Sequence, residues 1–276
     1  MTRARESKAA PVGVVMKVLK ILEALQGNPS GLQLKEIAER TQINKSTAYR
    51  FLAHLEGEGY LFRDDAGAYL IGPKLARMGT GTNREESLRK MSRSVLQKLW
   101  EATGETVNLA ILDGLQILYL DVIESSHTFR FASQIGARRP LHCTALGKAM
   151  LAHMPENELK ELLPALRFER LTQRTFTQPA KFRKELSKTR LQGYALDDEE
   201  AVLGARCIAA PVFDAGGRVL GGISVSGPLT RITQERIPTF AAIVKKAAQS
   251  VSSRLGYQQP KGAAVSPQSR AQASGF

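Results

Sequence analysis

Cysteine is nearly absent from this sequence: Cys143 and Cys207 are the two among 276 residues. That scarcity excludes a disulfide-built scaffold and fits a reducing compartment. Long apolar runs are missing as well. A bilayer-spanning helix takes about 20 apolar residues, and no such run occurs, so no membrane segment is expected. The opening Met1-Thr2-Arg3-Ala4-Arg5-Glu6 lacks the apolar core of a signal peptide, and a cytoplasmic chain is expected. Acidic residues are scarce too, 26 against 39 Lys and Arg, giving a formal net charge of +13 and a pI near 9.9. Such an excess favours an anionic partner. Only a minor part of it lies in residues 1–83, so charge alone does not locate that partner's site. What is present is enough apolar material, 43% of the chain, for real cores, and a length that predicts two domains.

The most informative stretch is residues 34–57. Leu34, Ile37, Ala38 and Thr41 share one helical face, and Ala48, Phe51, Leu52 and Leu55 share another, with a turn of a few residues between. Asn44 stands where an N-cap belongs. The opposite face of the second helix, predicted over 45–56, carries Lys45, Ser46, Thr47, Tyr49 and Arg50. Hydroxyls and cations at a helix start suit a DNA major groove, where Arg reads guanine edges and hydroxyls hold phosphates. An ordinary helical hairpin with a polar face reads equally well from this stretch alone.

The flanks decide between the two. Glu58–Arg63 reads as a strand, Asp64-Asp65-Ala66-Gly67 as a turn and Ala68–Ile71 as a returning strand, which together make a wing. Ahead of them, Val15, Val18, Leu19, Leu22 and Leu25 form the stripe of a first helix, closed by the turn formers Gly27-Asn28-Pro29-Ser30-Gly31. With the wing, the motif Val18-Leu19-Lys20-Ile21-Leu22-Glu23, then Glu36-Ile37-Ala38, Lys45-Ser46-Thr47-Ala48-Tyr49-Arg50 and Glu58-Gly59-Tyr60, resembles the DNA-binding domain of the IclR family of bacterial transcription regulators. The resemblance runs on through Gly136-Ala137-Arg138, Leu141–Lys148, Gly193–Glu200, Cys207–Phe213 and Ser224–Pro228, and covers roughly residues 12–256.

The expected organisation is a disordered arm at 1–11, a winged helix-turn-helix at 12–74, a linker-helix region at 75–103, an effector-binding domain at 104–256 and a disordered tail at 257–276. Gly79-Thr80-Gly81-Thr82-Asn83 is the hinge candidate, followed by a helix over 84–102 with Leu88, Met91, Val95 and Leu99 on one face. Strands are expected at 106–112, 116–123, 128–133, 194–197, 206–213 and 218–226, the first two joined through Asp113-Gly114. Helices are expected at 144–153, 156–164, 180–191 and up to about 255. The fold class is therefore α+β: a winged helix-turn-helix, a linker helix and an antiparallel sheet flanked by helices, which the resemblance implies is GAF-like.

In the second domain, Cys143–Lys148 opens a helix with small residues, so Ala145, Leu146 and Gly147 offer backbone N–H groups to a carboxylate. Ser224 and Ser226 share one face of a strand, opposite Val225. The resemblance implies an effector pocket lined by Thr128, Phe131, Ala145, Leu146, Asp197, Cys207, Ser224 and Ser226, with Leu146 larger than the small residues usual at its position. Asp198 and Glu200 read as solvated charges. His142, Cys143, Asp197 and Cys207 also suit a metal, but their spacing matches no compact zinc signature, and neither metal nor cofactor is expected. The resulting expectation is a non-enzymatic regulator, a homodimer or dimer of dimers, that binds a double-stranded DNA operator and a small organic acid effector. A thiol redox sensor using the two cysteines and a Cys/His enzyme are the competing readings.

Overall fold

In the computed structural model, residues 13–26, 28, 30–80 and 84–258 are described, without the side chains of 76, 77, 79 and 80. The expected arm at 1–11 lies outside them, as do residues 81–83 of the hinge candidate and the tail from 259. The chain divides between Arg84 and Glu85 into two units.

The first unit contains α1 (Gly13–Gln26), α2 (Leu34–Thr41), α3 (Lys45–Gly57), β1 (Leu61–Arg63), β2 (Tyr69–Ile71) and α4 (Pro73–Thr80). Its core joins Ile21 and Leu25 of α1 to Ile37, Ala48, Leu52, Leu61 and Tyr69. The turn between α2 and α3 is set by Gln42, which takes a left-handed conformation at φ 57°, and by the buried Ile43. Asn44 then caps α3, its side chain accepting from Thr47 N at 3.2 Å. The antiparallel pair of β1 and β2 runs from Leu61 opposite Ile71 to Arg63 opposite Tyr69. Three expectations change here. Glu58-Gly59-Tyr60 terminates α3 instead of extending the strand, because Gly59 adopts φ 74° and returns its N–H to Glu56 O. Val15 and Leu19 of the α1 stripe are exposed, and Ile21 is the fully buried residue. Gly79 and Thr80 belong to α4, not to a hinge loop.

The second unit is a six-stranded antiparallel sheet with helices on both faces. Its elements are α5 (Arg84–Thr103), β3 (Thr106–Asp113), β4 (Gln116–Ile123), β5 (Arg138–Pro140), α6 (Ala145–Leu151), α7 (Glu156–Leu162), α8 (Pro179–Gln192), β6 (Ala195–Asp198), β7 (Ala205–Phe213), β8 (Val219–Pro228) and α9 (Ile237–Arg254). The strand order is β5-β4-β3-β8-β7-β6. The two-residue period of β7 and β8 sorts the core into two layers. Ile208, Ala210, Val212, Ile223 and Val225 meet α5 and α9 through Leu88, Leu96, Leu99, Phe240 and Val244. Cys207 and Ala209 meet α6 and α8 on the other face, through Leu146, Met150 and Phe182.

Several boundaries differ from the sequence expectation. Residues 124–137 contain no strand; the alternating Phe129 and Phe131 sit in a loop held by Thr106 Oγ1 donating to Phe131 O at 2.6 Å, with Phe129 75% exposed. The short β5 takes its place beside β4, with Arg139 opposite Ile117, and its Pro140 is tolerated because β5 is an edge. The β3–β4 loop is Gly114-Leu115, since Asp113 still pairs with Gln116. In α5, Met91 is exposed and Ser92 and Leu96 are buried in its stead. Tyr257, expected in a disordered tail, stacks on Phe213 with centroids 5.0 Å apart.

Candidate functional site

Two places carry chemistry, one in each unit. The first is the N-terminal half of α3. Burying Ala48 and Leu52 turns Lys45, Ser46, Tyr49 and Arg50 outward, with Thr47 half-buried. Among the described residues, the side chains of Lys45, Tyr49 and Arg50 make no hydrogen bond or ion pair within the chain. Ser46 differs: its hydroxyl donates to the capping Asn44 Oδ1 at 2.7 Å, so it faces outward as an acceptor. The wing beside this face presents Arg63, whose Nε donates to Gly67 O and whose guanidinium lies 5.5 Å from the Tyr69 ring centroid.

The second place is a cavity of about 70 Å³ between α6 and the sheet. Phe131, Ala145, Leu146, Asp197, Cys207, Ser224 and Ser226 all line it. Thr128 does not: it is exposed on the 124–137 loop. Gly147 does not line it either. Its place is structural, since a Cβ there would stand 2.3 Å from Leu141 O, and its N–H is taken by Thr144 Oγ1 at 3.1 Å. The cavity also gathers residues that the sequence reading missed, among them Tyr119, Arg139, Thr144, Leu171, Ala201 and Val202. Tyr119 was legible in the alternation of β4, and Arg139 adjoins the Gly136-Ala137-Arg138 motif; Leu171, Ala201 and Val202 carry no local signal.

The serines on β8 are organised by Asn108, directly across on β3. Its buried Nδ2 donates to Ser224 Oγ at 3.1 Å and Ser226 Oγ at 3.2 Å. Cys207 lies opposite Ser226 across β7 and β8. Beneath the cavity floor, the fully buried Lys148 Nζ donates to Leu196 O and to Glu200 Oε1. Glu200 is thus buried, contrary to its reading as a solvated charge, because the chain reverses after β6 with Glu199 at φ 62° and folds it inward. Asp198 is half-buried and paired with Arg174 and Arg206. Asp197 Oδ1 accepts from Glu200 N at 2.8 Å and Ala201 N at 3.3 Å.

One ammonium therefore faces two buried carboxylates. Burial lifts Asp197 to about 6 and Glu200 to about 7, with Lys148 pulling both back. Burial and the neighbouring Asp197 and Glu200 push the Cys143 thiol up to about 12, and burial with Asp197 raises Cys207 as well. Both thiols are free and held protonated, a poor starting point for nucleophilic or redox chemistry, which needs the thiolate. His142 Nε2 lies 2.9 Å from Glu169 O, and its ring meets Phe168 edge-on. Among the described residues no three His, Cys, Asp or Glu side chains are grouped to hold a metal ion.

Both units match known proteins. Residues 14–65 match the family model of the IclR helix-turn-helix domain, and residues 82–253 that of the bacterial transcriptional regulator IclR C-terminal region. The HTH-type transcriptional regulator BhcR of Paracoccus denitrificans is 40% identical over 86% of this chain and 85% of its own. The HTH-type transcriptional regulator KdgR of Escherichia coli is 36% identical over 89% and 94%. Among solved structures, the Thermotoga maritima IclR is 34% identical with a TM-score of 0.61, covering 90% of this chain and all of that one. An IclR-type regulator from Silicibacter has a TM-score of 0.71 at 28% identity, covering 90% and 98%.

Proposed function

Since this chain belongs to the IclR family of bacterial transcriptional regulators, we propose that a small organic acid, bound in the cavity of its second unit, adjusts its affinity for a DNA operator. The observation that carries this reading is the cavity's polar set. Arg139, Thr144, Ser224 and Ser226 converge on a space otherwise walled by Phe131, Leu146, Leu171 and Val202. Arg139 is exposed and makes no ion pair among the described residues, so a carboxylate reaching it gains a charge-assisted bond without breaking an existing one. The Ser224 hydroxyl, which accepts from Asn108, still has its own hydrogen to donate. Asp197, an acceptor in the same wall, suits a hydroxyl on the acid.

On DNA, Lys45, Ser46, Thr47, Tyr49 and Arg50 form the contact set, with Arg50 the base reader. Two such helices in a dimer meet half-sites roughly 34 Å apart. The direct experiment is calorimetric titration of candidate acids into the wild-type chain and the Ser224→Ala/Ser226→Ala variant. We expect the variant to lose ~1–3 kcal/mol per charge-assisted bond removed. Undiminished affinity would place the effector elsewhere.

A further inference from the structure

A second cavity in this unit, open to solvent, has a volume of about 390 Å³ and shares no lining residue with the effector cavity. Sheet topology makes it: β6 pairs with β7 only as far as Ala209, while β7 continues to Phe213. The uncovered end of β7 forms the floor, the C-terminal turn of α8 forms one wall and α9 the other, and the stacked rings of Phe213 and Tyr257 close one end.

The charge of this cavity is one-sided. Its titratable side chains are His153, Arg190, Lys245 and the phenol of Tyr257, and no carboxylate lines it. Arg190 makes no ion pair among the described residues, and Lys245 has one bond, from Nζ to Gln192 O at 2.8 Å. Residues 259–276 contain no Asp or Glu that could supply a side-chain partner. The helix end, where partial negative charge would repel an anion, is already met: Gly193 N binds Thr189 O, and Lys245 binds Gln192 O. Lys245 keeps two further N–H donors. His153 is oriented by its Nδ1, 3.0 Å from Ala149 O, and among the described residues no hydrogen bond is made at its Nε2. Burial first, and Arg190 to a smaller degree, lower its pKa below the usual imidazole value, against the pull of the Ala149 carbonyl.

We infer that this cavity is a second ligand site, separate from the effector cavity, that takes a compact multivalent anion between Arg190 and Lys245. A tricarboxylate and a pyrophosphate share that chemistry, and the experiment separates them. Citrate and pyrophosphate are each titrated calorimetrically into the full-length chain at fixed ionic strength. Three variants accompany it: Arg190→Ala/Lys245→Ala; Lys181→Ala/Lys184→Ala, which removes equal charge from elsewhere on α8; and Ser224→Ala/Ser226→Ala. Arg190 and Lys245 are exposed, so their replacement is expected to leave the melting temperature in place. The expected result is saturable binding of at least one probe, weakened about tenfold or more only in the Arg190/Lys245 variant. The tighter probe identifies the source of the anion. Absence of saturable binding, equal weakening in the Lys181/Lys184 variant, or loss in the Ser224/Ser226 variant would each overturn the inference. The organic-acid reading of the other cavity is tested by its own titration and survives any of these results.

Discussion

At the scale of single residues, the two sites differ in how tightly the fold commits them. Arg50 is committed to nothing inside the chain, so Arg50→Ala is expected to cut specific operator affinity by about 1–3 kcal/mol while melting stays unchanged. An unaltered footprint would show that another face of α3 enters the groove. Glu200 is the opposite case, buried against Lys148 and sharing that one ammonium with Asp197. Its folded pKa, about 7, lies above the ordinary value of 4.5 because of burial. Between those values the folded state holds a proton that the unfolded chain has released, so stability falls as pH rises through that window. Thermal melts from pH 5 to 8 should show that decline as a difference between the wild type and Glu200→Gln, which lacks this carboxyl. A wild-type advantage over Glu200→Gln that grows with pH across the window would reverse the sign and discard the raised Glu200 pKa.

At the scale of elements, what sequence made legible was whatever depends on near neighbours in the chain. Helix α3 and its Asn44 cap, the tight β3–β4 hairpin and the inward Ser224 and Ser226 follow from periodicity and turn chemistry. Residues 128–133 read as a strand in sequence because Phe129 and Phe131 alternate like strand residues, although no neighbouring strand pairs with them. The buried Glu200 and the cavity wall of Leu171, Ala201 and Val202 depend on segments far apart in sequence meeting in space. Gly147 shows the same limit: in sequence it looked like part of a carboxylate-binding helix start, whereas the fold needs it for contact with Leu141. Its substitution by Ala would drive Cβ into Leu141 O. Overpacking of this kind costs about 1–3 kcal/mol, and more where backbone must move. Gly147→Ala should therefore lower the melting temperature of the second unit; unchanged melting would mean that the start of α6 shifts freely.

At the scale of the whole molecule, the proposed acid and the proposed DNA contacts belong to different units. DNA binding by a strongly basic chain releases counterions, so operator affinity should fall with salt at a log–log slope of about −0.9 per phosphate neutralised. An effector changes that affinity only through a difference in how it binds the DNA-competent and DNA-incompetent states, and a decisive switch needs a ratio of ~10⁴. Ser224 and Ser226 lie in one compact unit and Arg50 in the other. Replacing both serines by Ala should therefore remove the response to acid while leaving ligand-free operator affinity and its salt slope nearly unchanged. Arg50→Ala should do the reverse, weakening operator binding while acid titrations keep their affinity. Gel shifts and calorimetry on the two variants, with and without acid, check both halves. If the serine variant alone already shifts operator affinity by more than a few tenths of a kcal/mol, the additivity expected of well-separated sites fails. The cavity would then help set the ligand-free equilibrium between states, besides reporting the acid.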